Sequence, residues 1–157
     1  MDGSESEGIP RTYLIGRHVA GNYVPLGRCT RGYVAFEVET RRMVFLKDQW
    51  RCVTRERTEL ETYRRLHQHN VEYIATPVAG GDIDHHRTIS QDFMTYLPEN
   101  QRPTERMHTR LVTKEIGLVL EQYEDSVELL RLIMHALIGE CSSVDNQGVI
   151  SVLIASS

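Results

Sequence analysis

The sequence predicts an α+β fold: an antiparallel sheet of about five strands with one helix on it, then a second helix. Two observations lead there. Apolar runs bounded by turn residues come in the order strands, helix, strands, helix, not in the strict alternation that builds a parallel sheet. Each helical stretch opens on a capping-box pair, Thr58 with Glu61 and Asp125 with Glu128.

Residues 1–12 form a small, polar, acidic tail (MDGSESEG at its start) that reads as disordered and as neither signal nor transit peptide. Tyr23–Leu26 begins a first strand, and Gly27–Gly32 is a turn. Tyr33–Val38 is β-branched and aromatic, Met43–Leu46 is apolar, and the polar Glu39–Arg42 between them reads as a hairpin loop. The first helix starts at Thr58 or nearer Thr54. It repeats Leu60, Tyr63 and Leu66 at helical spacing and stops near Asn70. Ile74–Val78 is a strand that Pro77 confines to an edge or an end. Gly80–Arg106 reads mostly as loop, and Arg110–Ile116 as the last strand. The second helix runs from Asp125 to about Ile138, with Leu129, Leu130, Ile133, Met134, Leu137 and Ile138 on one face, and Gly139 is expected to break it.

Composition excludes several classes. A net charge of -4 carries no basic footprint for nucleic acid. No apolar run approaches the length of a membrane span. Cys29, Cys52 and Cys141 are odd in number and far apart, which fits neither a disulfide framework nor a zinc pattern and implies an intracellular, reducing compartment, cytoplasm or nucleus, without secretion. The chain has sixteen arginines and two lysines, Lys47 and Lys114. A lysine at the end of an apolar strand therefore stands out.

The chemistry gathers around it. Gly27-Arg-Cys29-Thr-Arg-Gly32-Tyr-Val34 has the spacing of the protein-kinase pattern G-x-G-x-x-G-x-V, with Cys29 at the middle glycine. Glycines there let backbone N–H groups approach a phosphate. Val44-Phe45-Leu46-Lys47 ends on a lysine thirteen residues after Val34, where V-A-I-K stands. A half-buried ammonium needs a carboxylate partner. Glu59 is the best placed, on the helix face of Tyr63 and Leu66, and Glu61 is the runner-up.

The wording of the chain also resembles the fungal-type protein kinases. GRCTRGYVAFEVETRRMVFLKDQWR, ELETYRRLHQHNVEYIAT, GGDI, RLVTKEIG and SVELLRLIMHALIG occur in that family's order, over roughly residues 20–140. The resemblance implies a protein kinase-like small lobe and hinge over residues 13–117, followed by the first helices of a truncated large lobe over 118–157. It implies that Gly27, Cys29, Gly32 and Val34 lie over the phosphates of ATP and that Lys47 contacts them. Glu59 would then pair with Lys47, and Glu115 to Gly117 would form the hinge that meets adenine.

Phosphoryl transfer also needs an Asp to orient the acceptor hydroxyl, and an Asn and an Asp to hold magnesium. The sequence contains no His-Arg-Asp and no Asp-Phe-Gly triplet. The expectation is weak ATP binding without magnesium ligands, and no catalytic residue. His86-Arg87-Thr88-Ile89-Ser90 has Thr88 where an aspartate is needed, and it precedes the hinge. Asp82, Asp84, His85 and His86 read as a polar loop ahead of a metal site. The apolar face of the helix Ser126–Ile138, if uncovered, forgoes roughly 9–18 kcal/mol of burial at about 1.5–3 kcal/mol per side chain, so self-association or a protein partner is expected there. Two alternatives stay open: a non-catalytic interaction module, and a truncated product of an active Ser/Thr-type kinase gene.

Overall fold

The computed structural model describes residues 11–21, 27–54, 57–117 and 122–145. Six strands form one antiparallel sheet: β1 Tyr13–Ile15, β2 Ala20–Gly21, β3 Arg31–Glu37, β4 Arg42–Cys52, β5 Pro77–Arg87 and β6 Arg106–Thr113. Their spatial order is β1-β3-β4-β6-β5, and β2 pairs with a separate stretch of β3. Helix α1 (Glu59–Gln68) follows β4, the short α2 (Ser90–Phe93) follows β5, and α3 (Ser126–Asp145) follows the sheet.

The central pairing is local and readable. Val38 to Arg41 form the β3–β4 turn, with Arg41 at φ 53, and place Glu37 opposite Arg42. Glu37 is buried, which is tolerable because its carboxylate accepts from Arg11 Nη1 at 2.9 Å, from Tyr13 Oη at 3.4 Å and from the Thr40 hydroxyl. Those bonds fasten β1 to the hairpin.

Side chains alternate across the sheet, so each face has its own small core. On one face Ala35, Val44, Leu46 and Val112 are buried, with Tyr13, Tyr33, Val78 and Ala79 around them. On the other, Leu111 meets Leu60 and Tyr63 of α1, flanked by Ile74 and Ala75. The second cluster fixes α1 against the sheet. The helix begins where the capping-box signature puts it: Thr58 Oγ1 accepts from the Glu61 N–H at 3.2 Å, and Glu61 Oε2 accepts from the Thr58 N–H at 2.7 Å. It ends at His69, with Asn70 at φ 55, and His67 Nε2 lies 2.9 Å from the Ala75 carbonyl.

The sheet differs from the sequence reading in its extent. Among the described residues six strands are formed, of which β1 and β2, three and two residues long, carry no clear alternation. The strand start expected at Tyr23–Leu26 lies outside the described residues. β4 runs on to Cys52 and β6 starts four residues early, at Arg106, because the two pair from Phe45–Thr113 to Cys52–Arg106. Gly80–Arg87 is strand instead of loop. Its polar residues suit a sheet edge, where charges discourage further pairing. Pro77 opens that strand, the position where a missing N–H costs no ladder bond.

α3 is capped as expected at its start, with Asp125 Oδ1 accepting from the N–H groups of Val127 and Glu128 at 2.8 Å each. The Glu128 carboxylate reaches one residue further back, to the Glu124 N–H at 2.6 Å. Gly139 does not end this helix. It is the contact point with the α1–β5 connection: a Cβ there would stand 3.2 Å from the Glu72 carbonyl oxygen. One turn earlier, His135 stacks on Tyr73 with ring centres 4.1 Å apart. Val127, Leu130, Ile133, Met134 and Leu137 of the same helix are exposed. No helix among the described residues is long and apolar enough to cross a membrane.

Candidate functional site

Lys47 lies in the middle of β4, and its side chain points to the α1 face of the sheet. Gln49, two residues on, points the same way. Glu59 is the first residue of α1, next to the Thr58 cap, where a carboxylate also complements the positive end of the helix. The three side chains converge. Lys47 Nζ donates to Glu59 Oε1 at 2.7 Å, and Gln49 Nε2 donates to Glu59 Oε2. The Lys47 and Glu59 side chains are 24% and 21% exposed, shielded enough for the pair to matter yet open enough for an anion to reach the ammonium.

Glu61 is not the partner of Lys47. Its carboxylate is committed to the Thr58 N–H in the capping box, on another side of the helix. Tyr63 lies one turn after Glu59, and burial, aided by the Glu59 charge, pushes its phenol up from the ordinary value. Tyr63 therefore stays neutral and serves as core.

Gly32 and Val34 extend the same face. Gly32 is paired with Lys47 and Val34 with Phe45 across β3 and β4. Gly32 thus belongs to β3 rather than to a turn. Gly27, at φ 129, and Cys29, at φ 44, lie in the segment leading into that strand. The Trp50 N–H donates to the Arg28 carbonyl at 2.7 Å and ties that segment to β4. Cys29, at the middle position of the glycine pattern, adopts left-handed backbone that glycine takes without a Cβ penalty.

Glu115 and Gly117 follow β6 on the far side of the Phe45–Thr113 pair. The Glu115 carboxylate clamps the start of β5, accepting from the Thr76 N–H at 2.6 Å and from Thr76 Oγ1 at 2.8 Å. Desolvation alone would raise its carboxyl; the Thr76 bonds outweigh that and hold it below the usual carboxylate range. Around Gly117 the space is open, with nothing within 4 Å of where a Cβ would lie. The structure thus lines up Gly32, Val34, Lys47 and Glu59 on one face, with Glu115 and Gly117 at the end of β6. Gln49 and Phe45 are the members that the sequence reading missed. Their i, i+2 and i, i−2 spacing from Lys47 on a strand is the signal that finds them.

The other sequence candidates lie elsewhere. Asp82, on edge strand β5, binds Arg51, whose Nε donates to Oδ1 at 2.8 Å; this guanidinium bond holds its carboxyl below the usual range. His86 stacks on His108 with ring centres 5.7 Å apart, and Thr88 exchanges two bonds with Arg106. Both lie two strands from Lys47 in the sheet order. Among the described residues, no group of three or more His, Cys, Asp or Glu side chains is placed to share a metal ion.

Two hollows lined by described residues lie away from Lys47. One, of about 460 Å³, lies on the opposite side of the sheet, between Tyr13, Tyr33, Asp48 and Arg110; the other, of about 450 Å³, lies beside His67, Thr76 and Pro77. The Lys47–Glu59–Gln49 geometry, not hollow size, picks out the site.

No curated protein and no solved structure matches the chain. A family model described as fungal protein kinase matches residues 4–151, most of the 157 residues. An ammonium on a sheet strand held by a helix carboxylate, in a curled antiparallel sheet, agrees with that match, and the chain belongs to the fungal protein kinase family.

Proposed function

We propose that these residues form a nucleotide-binding lobe that holds ATP weakly and does not transfer its phosphoryl group. The observation that carries the reading is the 2.7 Å bond between Lys47 and Glu59. The carboxylate fixes the ammonium in place, and Gln49 occupies its second oxygen. Lys47 thus faces the Gly32 strand with donors to spare for the α- and β-phosphates. Gly27 and Cys29 would lie over the phosphates, and the backbone from Glu115 to Gly117 would meet the base. With no His-Arg-Asp and no Asp-Phe-Gly triplet in the sequence, neither the residue that orients an acceptor hydroxyl nor the usual magnesium ligands are supplied, and binding without them is weak.

Thermal denaturation with and without ATP tests this. At about ten times Kd, bound nucleotide adds about 1.4 kcal/mol. That is a rise of a few degrees in Tm for a domain of this size. The wild type is expected to show the rise and Lys47→Ala to lose it. An equal rise in both would remove Lys47 from the site.

A second reading is favoured by α3. Val127, Leu130, Ile133, Met134 and Leu137 are 44–62% exposed, a large apolar face for one helix. On this reading the lobe is an interaction module that presents α3 to a protein partner or to another copy of itself. ATP then changes the Tm of neither the wild type nor Lys47→Ala.

A further inference from the structure

Packing alone does not explain a glutamine at position 49. Gln49 is 6% exposed on the α1 side of β4, and its Oε1 has no hydrogen-bond partner among the described residues. A buried carbonyl left in that state costs about 1–3 kcal/mol, which an apolar side chain of the same length avoids. Thr109, its partner across β6, turns its hydroxyl elsewhere, donating to the Gly81 carbonyl at 2.9 Å. What the amide supplies lies at its other end, where Nε2 donates to Glu59 Oε2.

A carboxylate held by one ammonium is loosely fixed, because its terminal torsion is broad and either oxygen serves as acceptor. Lys47 and Gln49 reach Glu59 from strand positions about 7 Å apart, two residues of rise. Each takes a different oxygen. The second bond sets the plane of the carboxylate and limits the ammonium to Oε1, so one of its three N–H groups is spent on Glu59. The second donor is also neutral. A cation at position 49 would share the Glu59 charge with Lys47, and an anion would repel it. Both bonds end on the first residue of α1, just before Leu60 and Tyr63, which pack on Leu111.

We propose that Gln49 is a positioning residue for nucleotide binding: its amide orients the Glu59 carboxylate so that Lys47 keeps free donors for the phosphates. The inference rests on the nucleotide-binding reading above and deepens it. Without the amide, Glu59 Oε2 turns onto Lys47 and takes a second N–H of the ammonium. The fold does not require the bond, since the Glu59 side chain is 21% exposed and water can reach the freed oxygen. The buried Oε1 is then the by-product of a residue chosen for its donor.

Calorimetric titration of the full chain with ATP tests this on wild type, Lys47→Ala, Gln49→Met and Gln49→Glu. Methionine keeps the length, adapts to a buried site and removes the donor. If the held arrangement falls to about a tenth of the population, Gln49→Met binds ATP about tenfold more weakly while folded by circular dichroism. Gln49→Glu adds a readout that a packing role does not move. The introduced carboxyl faces the Glu59 charge from α1 and is flanked on β4 by Lys47 and by Arg51, whose guanidinium is committed to Asp82. Burial and the like charge raise its pKa. Ionised, it repels Glu59; protonated, it donates to Oε2 as the amide does. The ratio of Gln49→Glu to wild-type affinity should therefore climb toward unity as pH falls from about 8 to about 6. That profile decides the matter if Gln49→Met does not fold. Unchanged affinity in Gln49→Met, or a ratio independent of pH, beside Lys47-dependent binding by the wild type, overturns the positioning role and leaves the nucleotide site standing. Failure of both Gln49 variants to fold makes the residue structural and also overturns it. Absence of Lys47-dependent binding by the wild type overturns both readings.

Discussion

Leu111→Ala is expected to lower folding stability by about 2–5 kcal/mol, the range for truncating a buried leucine. Leu111 is 4% exposed and is the one sheet residue in the buried cluster with Leu60 and Tyr63 of α1. Removing it opens a cavity that Ile74 and Ala75, fixed by the α1–β5 connection, cannot close. For a domain whose whole stability is about 5–15 kcal/mol, this is a large fraction. Equilibrium urea unfolding of both proteins reads it as a fall in midpoint. Because the cluster also sets the distance between α1 and β4, the nucleotide response of the variant should fall with its stability. A midpoint close to wild type would mean that α1 is held to the sheet by something other than this cluster.

Glu59→Ala acts at the same junction through polar chemistry. Two donors converge on that carboxylate, and they differ in what they can do when it is gone. Lys47 is a quarter exposed and can turn to water. Gln49 is 6% exposed, and its other polar atom, Oε1, has no hydrogen-bond partner among the described residues. Its Nε2 would join it, and leaving a buried donor unmade costs about 1–3 kcal/mol. The conservative Glu59→Gln keeps the shape and one acceptor, so it should recover part of the loss in urea unfolding. It should not recover the nucleotide response, because a neutral amide no longer holds the ammonium by charge. Equal stability of wild type, alanine and glutamine variants would show that the convergence contributes nothing to the fold.

The features legible in the sequence are those that neighbours along the chain decide. Thr58 and Glu61 bond each other across one helical turn, and Asp125 caps α3 in the same way. Glu59 was distinguishable from Glu61 because helical spacing puts it with Tyr63 and Leu66. The β3–β4 turn follows from a short polar run between two apolar ones. What stayed hidden depends on partners distant in sequence. Gly80–Arg87 has the composition of a loop and becomes a strand because β6 offers it an edge. Gly139 carries a helix penalty of about 1 kcal/mol and reads as a stop, yet its missing Cβ is what lets α3 approach the Glu72 carbonyl. Gly32 reads as a turn glycine, while the structure pairs it with Lys47 inside β3 and sets the Phe45 ring against it. Gln49 was overlooked because a glutamine on a strand carries no motif. Only the fold shows that it takes the second oxygen of Glu59.

The chain has two lysines, Lys47 at the site and Lys114 exposed beyond β6, so a sample labelled with ¹³C-lysine gives two side-chain Cε–Hε signals. Titration with ATP, with Lys47→Arg and Lys114→Arg for assignment, tests the nucleotide reading at the one atom group that must respond. The Lys47 signal should move along a saturable curve while the Lys114 signal stays in place. A stationary Lys47 signal at millimolar ATP, or parallel drift of both signals, would contradict the claim that the Glu59-held ammonium receives phosphate.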